Sequence, residues 1–166
     1  MSINDYKGVF IFIEQTNNKI LGVSYELIGE GRKLAKDLDT EVTAVLLGSD
    51  VNGMTDKLAQ YGADNIIVVD DEALVDYMTE PYVEAMTEII KQYKPEIVLL
   101  GATAIGRDMG PRISARVHTG LTADCTGLEV DKKTNNLLMT RPAFGGNLMA
   151  TIICPEHRPQ MATVRP

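Results

Sequence analysis

Residues 97–119, IVLLGATAIGRDMGPRISARVHT, change character twice within one short stretch, and their reading decides the fold. Ile97, Val98, Leu99 and Leu100 carry no charge and half of them are β-branched, as in a strand covered on both faces in the middle of a parallel sheet. Gly101 breaks the run. Met109, Ile113 and Val117 then recur four apart, which makes one apolar stripe on a helix, while Arg112 and Arg116 share another face. A helix beginning within residues 105–108 puts Pro111 in its first turn, where a missing N–H is not needed. Strand, glycine turn and helix in that order make part of a βαβ unit, and ligands and partners of such sheets gather beyond the carboxyl ends of the strands.

Upstream, the same alternation repeats. Residues 9–14 (VFIFIE) read as a first buried strand, and residues 16–19 (TNNK) as a polar turn. Leu27, Ile28, Gly31, Leu34, Ala35 and Leu38 keep helical spacing over residues 25–38, with Ser24 as the expected N-cap. Residues 41–47 (EVTAVLL) and 65–69 (NIIVV) are further strands, separated by a short helix from Met54 that carries Leu58 and Tyr61 and stops at Gly62. The acidic run Asp70, Asp71, Glu72 reads as a solvated loop. Val83, Met86, Ile90 and Tyr93 form the buried stripe of the next helix, which has Pro81 in its first turn and ends at Lys94 and Pro95.

Beyond Gly120 the pattern changes. Residues 123–131 (ADCTGLEVD), 137–144 (LLMTRPAF) and 148–154 (LMATIIC) read as strands with only turns between them, at Asn135 and Asn136 and at Gly145, Gly146 and Asn147. The expected architecture is therefore a single α/β domain over residues 1–166: a parallel, Rossmann-like sheet of the adenine-nucleotide-hydrolase kind, flanked by helices, with an antiparallel hairpin region appended at its C-terminal end. Pro142 cannot donate to a ladder and belongs at an edge or a bulge, where a strand from another chain could join.

Composition sets further limits. A chain of 166 residues buries roughly 70% of its unfolded surface and needs no staple. Cys125 and Cys154 form no CxxC pair and are expected to be reduced and buried. With no basic, apolar leader and no run long enough for a span, the chain is expected to be cytoplasmic and not to insert in a membrane. The net charge of −7 argues against nucleic acid. Its distribution is uneven: residues 1–100 hold 8 Lys and Arg against 18 Asp and Glu, while residues 101–166 hold 8 against 5. Six of the seven arginines, Arg107, Arg112, Arg116, Arg141, Arg158 and Arg165, lie in the second part. Arginine suits interfaces and anion sites because its planar fork donates paired hydrogen bonds and is weakly hydrated; a plainly solvated basic surface is the other reading.

The motifs of catalysis fail one by one. Gly101 and Gly106 have P-loop spacing, but Arg107 and Asp108 stand where Lys and Ser or Thr are needed. No GxGxxG follows the first strand, no GxSxG occurs, and His118 and His157 lack partners at metal spacing. Asp124 with Glu129, or Asp108 and Asp124 with His118, are weak candidates for acid–base work. Phe144, in the run Arg141-Pro142-Ala143-Phe144-Gly145-Gly146-Asn147, stands either in the core below a hairpin or against a ligand or second chain.

Three stretches then carry a resemblance. GLTADCTGLE at residues 120–129, TRPAFGGN at residues 140–147 and RPQMATVRP at residues 158–166, together with VFIFIEQ near the start, resemble the N-terminal domain of electron transfer flavoprotein α subunits nearly end to end. The resemblance implies a nucleotide-binding-like fold that packs, as a heterodimer, against a similar β subunit. The β subunit would hold AMP or a second FAD, and a further α-subunit domain would hold FAD. This chain stops at Pro166, short of that domain, so it is expected to be a fragment with no catalytic residue and no cofactor or metal of its own. It implies a scaffold and docking role, with Arg107, Arg112, Arg116, Arg141, Pro142, Arg158 and Arg165 at the interface. Thr122, Cys125, Arg141, Phe144, Gly145, Gly146 and Asn147 would lie near the β-subunit nucleotide. The whole protein would pass electrons from acyl-CoA dehydrogenases of fatty acid oxidation, or from NADH, to a redox partner. A free-standing nucleotide-binding module of the universal-stress-protein type is the alternative, weakened by Ala104 where that type wants a glycine.

Overall fold

The computed structural model describes residues 2–166. Strand β1 (Val9–Ile13) is followed by a two-residue hairpin, β2 (Gln15–Thr16) and β3 (Lys19–Ile20), then helix α1 (Gly22–Asp37) and strand β4 (Val42–Gly48). Next come α2 (Thr55–Gln60), β5 (Asn65–Asp70), α3 (Thr79–Tyr93), β6 (Ile97–Gly101) and α4 (Ala104–Arg116). The last third holds five strands: β7 (Leu121–Cys125), β8 (Gly127–Val130), β9 (Leu137–Pro142), β10 (Met149–Ile152) and β11 (Gln160–Val164). A six-stranded sheet runs β5-β4-β1-β6-β11-β7 with every pairing parallel, and β10-β9-β8 form a separate antiparallel sheet. The α/β class and the appended hairpin region agree with the sequence.

Alternate residues of the central strands feed two cores. Val9, Ile11 and Ile13 of β1 face α1 through Leu27, Ile28 and Leu34, while Phe10 and Phe12 face Val83, Met86 and Ile90 of α3 and Met109 and Ile113 of α4. Fully burying one such aliphatic side chain contributes about 2 kcal/mol, so the sheet is held from both faces. The small sheet lies on the α1 side, where Val130, Leu137 and Met139 join that core in place of a helix.

Several local expectations are corrected. Residues 160–164 carry no strand signal of their own, yet β11 enters the large sheet between β6 and β7. Residues 123–131 do not form one strand: Asp124 takes φ +66°, the register with β11 shifts, and the chain leaves the large sheet at Thr126 for the small one. Helix α4 starts at Ala104, so Pro111 lies inside it and deprives the Arg107 carbonyl of its usual donor. Thr103 is the cap, its hydroxyl accepting from the Gly106 N–H at 3.1 Å. Ser24 caps nothing; it is buried within α1, accepting from the Glu14 N–H at 2.8 Å and donating to the Glu14 carbonyl at 3.3 Å. Asp70 is no idle loop acid, since its carboxylate accepts from the N–H groups of Asp50 and Val51 and fixes the turn after β4. Tyr93, expected in the buried stripe of α3, is half-exposed.

Arg158 is the largest correction. Its side chain is 6% exposed and donates from Nε to Glu96 at 2.8 Å and from Nη1 to the carbonyls of Cys154 and His157, both at 2.9 Å. Gln160 donates to the same Glu96 carboxylate at 3.1 Å and accepts from the Leu137 N–H at 2.9 Å. These bonds fasten the returning chain to the amino ends of β6 and β9, so Arg158 is an internal tie and no surface arginine. Burial pushes the Glu96 carboxyl up, against the pull of Arg158 and Gln160. Arg158→Ala leaves that carboxylate buried without its counter-charge, with Gln160 as its remaining donor, which is expected to cost about 3 kcal/mol by chemical denaturation. Glu96 then binds a proton more tightly folded than unfolded, so stability of the variant falls as pH rises above the ordinary carboxylate range; the deficit at pH 8 should exceed that at pH 5.

Candidate functional site

The carboxyl ends of the strands are the place to look, and the fold brings two different environments together there. Strand order reverses between β1 and β6, the switch point at which such sheets bind ligands. Glu14, the residue after β1, is 6% exposed and accepts from the Thr103 hydroxyl at 2.7 Å, at the first turn of α4. A Cβ at Gly106 would come within 1.8 Å of the Gly101 carbonyl oxygen, so the glycine pair serves a close helix-to-strand approach. An internal carboxylate thus stands against the N-cap of α4, where a negative charge opposes a dinucleotide pyrophosphate, and the residues present do not fit FAD there. Neither Glu14 nor Thr103 was singled out from sequence. Only the strand-end placement of Glu14, one step past an apolar run, could have pointed to it.

Toward the other edge the surface is cationic and open. Asp124 accepts from Arg165 at 2.8 Å and from Arg107 at 3.2 Å, and these two hydrogen-bonded guanidinium groups, Arg165 first, hold its carboxyl below the usual range. Arg141 of β9 makes no ion pair with a described residue. It lines, with Arg165, Phe144 and Ile152, a recess of about 380 Å³. The turn after β9 has φ +93° at Gly145 and +76° at Gly146, values that glycine adopts without strain, and it lifts Phe144 fully into solvent. Phe144 is therefore no core residue. Leu148, Met149, Ile152 and Ile153 on the returning strand are exposed as well. Residues 148–154 look like a buried strand because both of their faces are apolar, and that same feature marks them as an uncovered surface.

The remaining expected residues scatter. Arg112 pairs with Asp108 at 3.5 Å and Arg116 with Glu80 at 2.5 Å, both against the α3 side and away from Arg141. Asp108 also accepts from Tyr77 and Thr79, each at 2.6 Å, which hold its carboxyl down, Thr79 first. Burial and that bond push the Tyr77 phenol up to about 12. Asp108 is thereby a structural acceptor, not part of a reaction group with His118. Pro142 sits where β8 no longer reaches, so its missing donor leaves no partner stranded. Thr122 and Cys125 are buried in β7, while Gly145, Gly146 and Asn147 are exposed on the arm. Burial pushes the Cys125 thiol up to about 11; Cys154, expected to be buried, is partly open. Among the described residues no group of three side chains could hold a metal, and no helix is long and apolar enough to cross a membrane.

Two outcomes follow for the free chain. A thiol reagent at pH 8 should modify one cysteine, Cys154, in the native protein and the second only on unfolding; rapid native labelling of Cys125 counts against the packing described. Because the folded Asp124 carboxyl lies below its unfolded value, the Arg107–Asp124–Arg165 contribution should be complete above the ordinary aspartate range. It should be lost as pH falls through the depressed folded value, and Asp124→Asn should flatten that part of an acid titration.

Comparison with known proteins places this geometry. Residues 9–166 match the family model described as the electron transfer flavoprotein domain. The chain is 55% identical over 166 residues to Protein FixB of Clostridium saccharobutylicum, covering 100% of this chain and 49% of that protein. It is 56% identical over 164 residues to the electron transfer flavoprotein subunit alpha of Thermoanaerobacterium thermosaccharolyticum, covering 99% and 49%. It is 45% identical over 186 aligned positions to the acryloyl-CoA reductase electron transfer subunit beta of Anaerotignum propionicum, covering 99% and 51%. The chain spans about half the length of the curated relatives it matches.

Proposed function

The chain belongs to the electron transfer flavoprotein family, on the α-subunit side, and from that premise we propose that it is the scaffold through which such a subunit docks its β partner in a heterodimer. The observation that carries this is the arm formed by β9 and β10. Phe144, Leu148, Met149, Ile152 and Ile153 put an apolar patch into solvent beside Arg107, Arg141 and Arg165. Apolar surface of that kind rimmed by guanidinium groups is the composition of a protein interface, with aromatic and Arg anchors. In this reading the assembled protein carries electrons, and this domain turns over no substrate by itself. The flavin is held by the rest of the α subunit and by the β subunit, which also holds AMP or a second FAD. Electrons arrive from an acyl-CoA dehydrogenase or from NADH, and the residues of the arm, Arg141, Phe144, Gly145, Gly146 and Asn147, approach the β-subunit nucleotide. Thr122 and Cys125, also expected near that nucleotide, are buried in β7 beneath this surface.

A free-standing nucleotide module would bring phosphates to the switch point, where the buried Glu14 carboxylate on Thr103 opposes them. Calorimetry should therefore give no saturating heat with AMP or ATP on the chain alone; a one-to-one isotherm abolished by crowding substitutions at Ala102 would favour the stress-protein type instead. Copurification of the full-length subunit with its cognate β subunit should survive Arg112→Glu, and weaken about tenfold or more with Arg141→Glu or Phe144→Ser. Undiminished assembly with both latter variants overturns the docking role.

A further inference from the structure

We propose that a recess at the amino ends of the strands, at the other end of the sheet from the turn of the arm, binds a small zwitterion of the α-amino acid class. Its ammonium group would meet Glu96 Oε2, and its carboxylate Arg158 and Lys7. The site is independent of the docking role. Four segments enclose it: residues 3–8 ahead of β1, the α1–β4 connection at Leu38 and Thr40, the β8–β9 turn at residues 134–136, and the chain at Pro155 and Arg158. Its volume of about 420 Å³ lies in the range of small-molecule sites.

The internal tie of the fold is only half used up by the fold. Both hydrogen bonds that the Glu96 carboxylate accepts end on Oε1, from Arg158 at 2.8 Å and from Gln160 at 3.1 Å. Oε2 has no partner among the described residues, and it is not sealed in either, because the one fully enclosed side-chain polar atom without a partner among them is the Thr87 hydroxyl. The recess that Glu96 lines is its opening. Arg158 is 6% exposed and spends Nε and both Nη1 hydrogens inside the protein, but Nη2 makes a single long bond, to Asn136 Oδ1 at 3.4 Å. Its second N–H is uncommitted. A carboxylate oxygen and a guanidinium N–H held this deep cost free energy unless water or a ligand meets them.

The walls are fixed by bonds of their own. Asp131 pins the turn ahead of Asn136, its carboxylate accepting from the Lys133 N–H at 3.0 Å and the Thr134 hydroxyl at 3.1 Å, its carbonyl from the Asn135 N–H at 2.7 Å. The Lys7 N–H donates to the Lys94 carbonyl at 2.9 Å and holds the backbone that carries Tyr6 and Lys7. Charge then selects the ligand. Lys7 makes no ion pair with a described residue, so the recess offers two cationic donors and one anionic acceptor. A simple anion drawn to Lys7 and Arg158 meets Glu96, and a simple cation drawn to Glu96 meets Lys7 and Arg158. A molecule with an ammonium and a carboxylate on one carbon satisfies both signs at once. Tyr6 and Asn136 line the same space and add neutral donors and acceptors.

The test uses the full-length subunit assembled with its cognate β subunit, titrated by calorimetry with the common L-amino acids one at a time, and with acetate and methylammonium as the two half-ligands. At least one amino acid should bind one to one in the millimolar range or tighter, with each half-ligand about tenfold weaker or more. Lys7→Glu and Glu96→Gln should each weaken that binding about tenfold, while Lys91→Glu, on α3 outside the recess, should bind as the unmodified protein does. Bound amino acid should also slow hydrogen exchange at residues 6–8 and 134–136. If no amino acid saturates by about 10 mM, the recess holds water only and the proposal is overturned. Acetate or methylammonium binding as tightly as the best amino acid would make it an anion or a cation site and overturn the zwitterion assignment. Binding undiminished in both recess variants would put the ligand elsewhere, with the same consequence. Should Glu96→Gln not fold, Lys7→Glu, at an exposed position, decides together with the exchange pattern of the unmodified protein.

Discussion

The return of the chain into the middle of the sheet governs everything at the far end of the molecule. β11 lies between β6 and β7, paired parallel to both, and it can reach that slot only after the excursion through β8, β9 and β10 has been folded back on the α1 side. The buried contact of Arg158 with Glu96, with Gln160 sharing the carboxylate, fixes where the excursion ends. Gln160 also accepts from the first residue of β9, so the start of the arm and the start of β11 are bound to one point at the amino ends of the strands. From there β9 runs alongside the large sheet for its whole length. Its turn must therefore emerge at the carboxyl ends, next to Arg165 and Asp124.

That placement explains why the usual binding crevice and the exposed patch differ so much in chemistry. At the β1–β6 switch point a carboxylate from the chain itself meets the capped end of α4, and backbone approaches backbone where Gly106 abuts Gly101. The need for an anion at a helix N-terminus is met internally. A few strands away, Arg107 and Arg165 pair with one aspartate, Arg141 lines the recess beside them without an ion pair to a described residue, and the neighbouring apolar side chains are exposed. The first environment is satisfied by partners within the chain, and the second is exposed.

Much of this was legible in residues whose neighbours lie close in sequence. The buried run of residues 97–100, the stripe of α3 and the glycine turn of the arm each follow from local pattern. What sequence could not convey were relations across long loops. Residues 160–164 form a strand only because β6 and β7 flank them, and Arg158 looks like any surface arginine until Glu96, 62 positions earlier, is placed beside it. Residues 148–154 were legible as a strand but not as an edge, because an apolar run has the same pattern whether its own chain or another one covers it. Of the expected interface arginines, the fold gathers Arg107, Arg141 and Arg165, turns Arg112 and Arg116 toward the α3 side and takes Arg158 inside.

The charge imbalance then acquires a physical role. Residues 1–100 carry a net −10 and residues 101–166 a net +3, so an acidic partner approaching the body at random is repelled. At physiological ionic strength charges are screened beyond about 8 Å, and the attraction of Arg107, Arg141 and Arg165 acts only once the partner is already near the carboxyl ends. Repulsion by the body and attraction at the patch act over the same short range, and the contrast between them favours one orientation of encounter for an acidic surface. The apolar arm stands beside that patch, so the orientation selected by charge is also the one in which burial of Phe144 and its neighbours can begin.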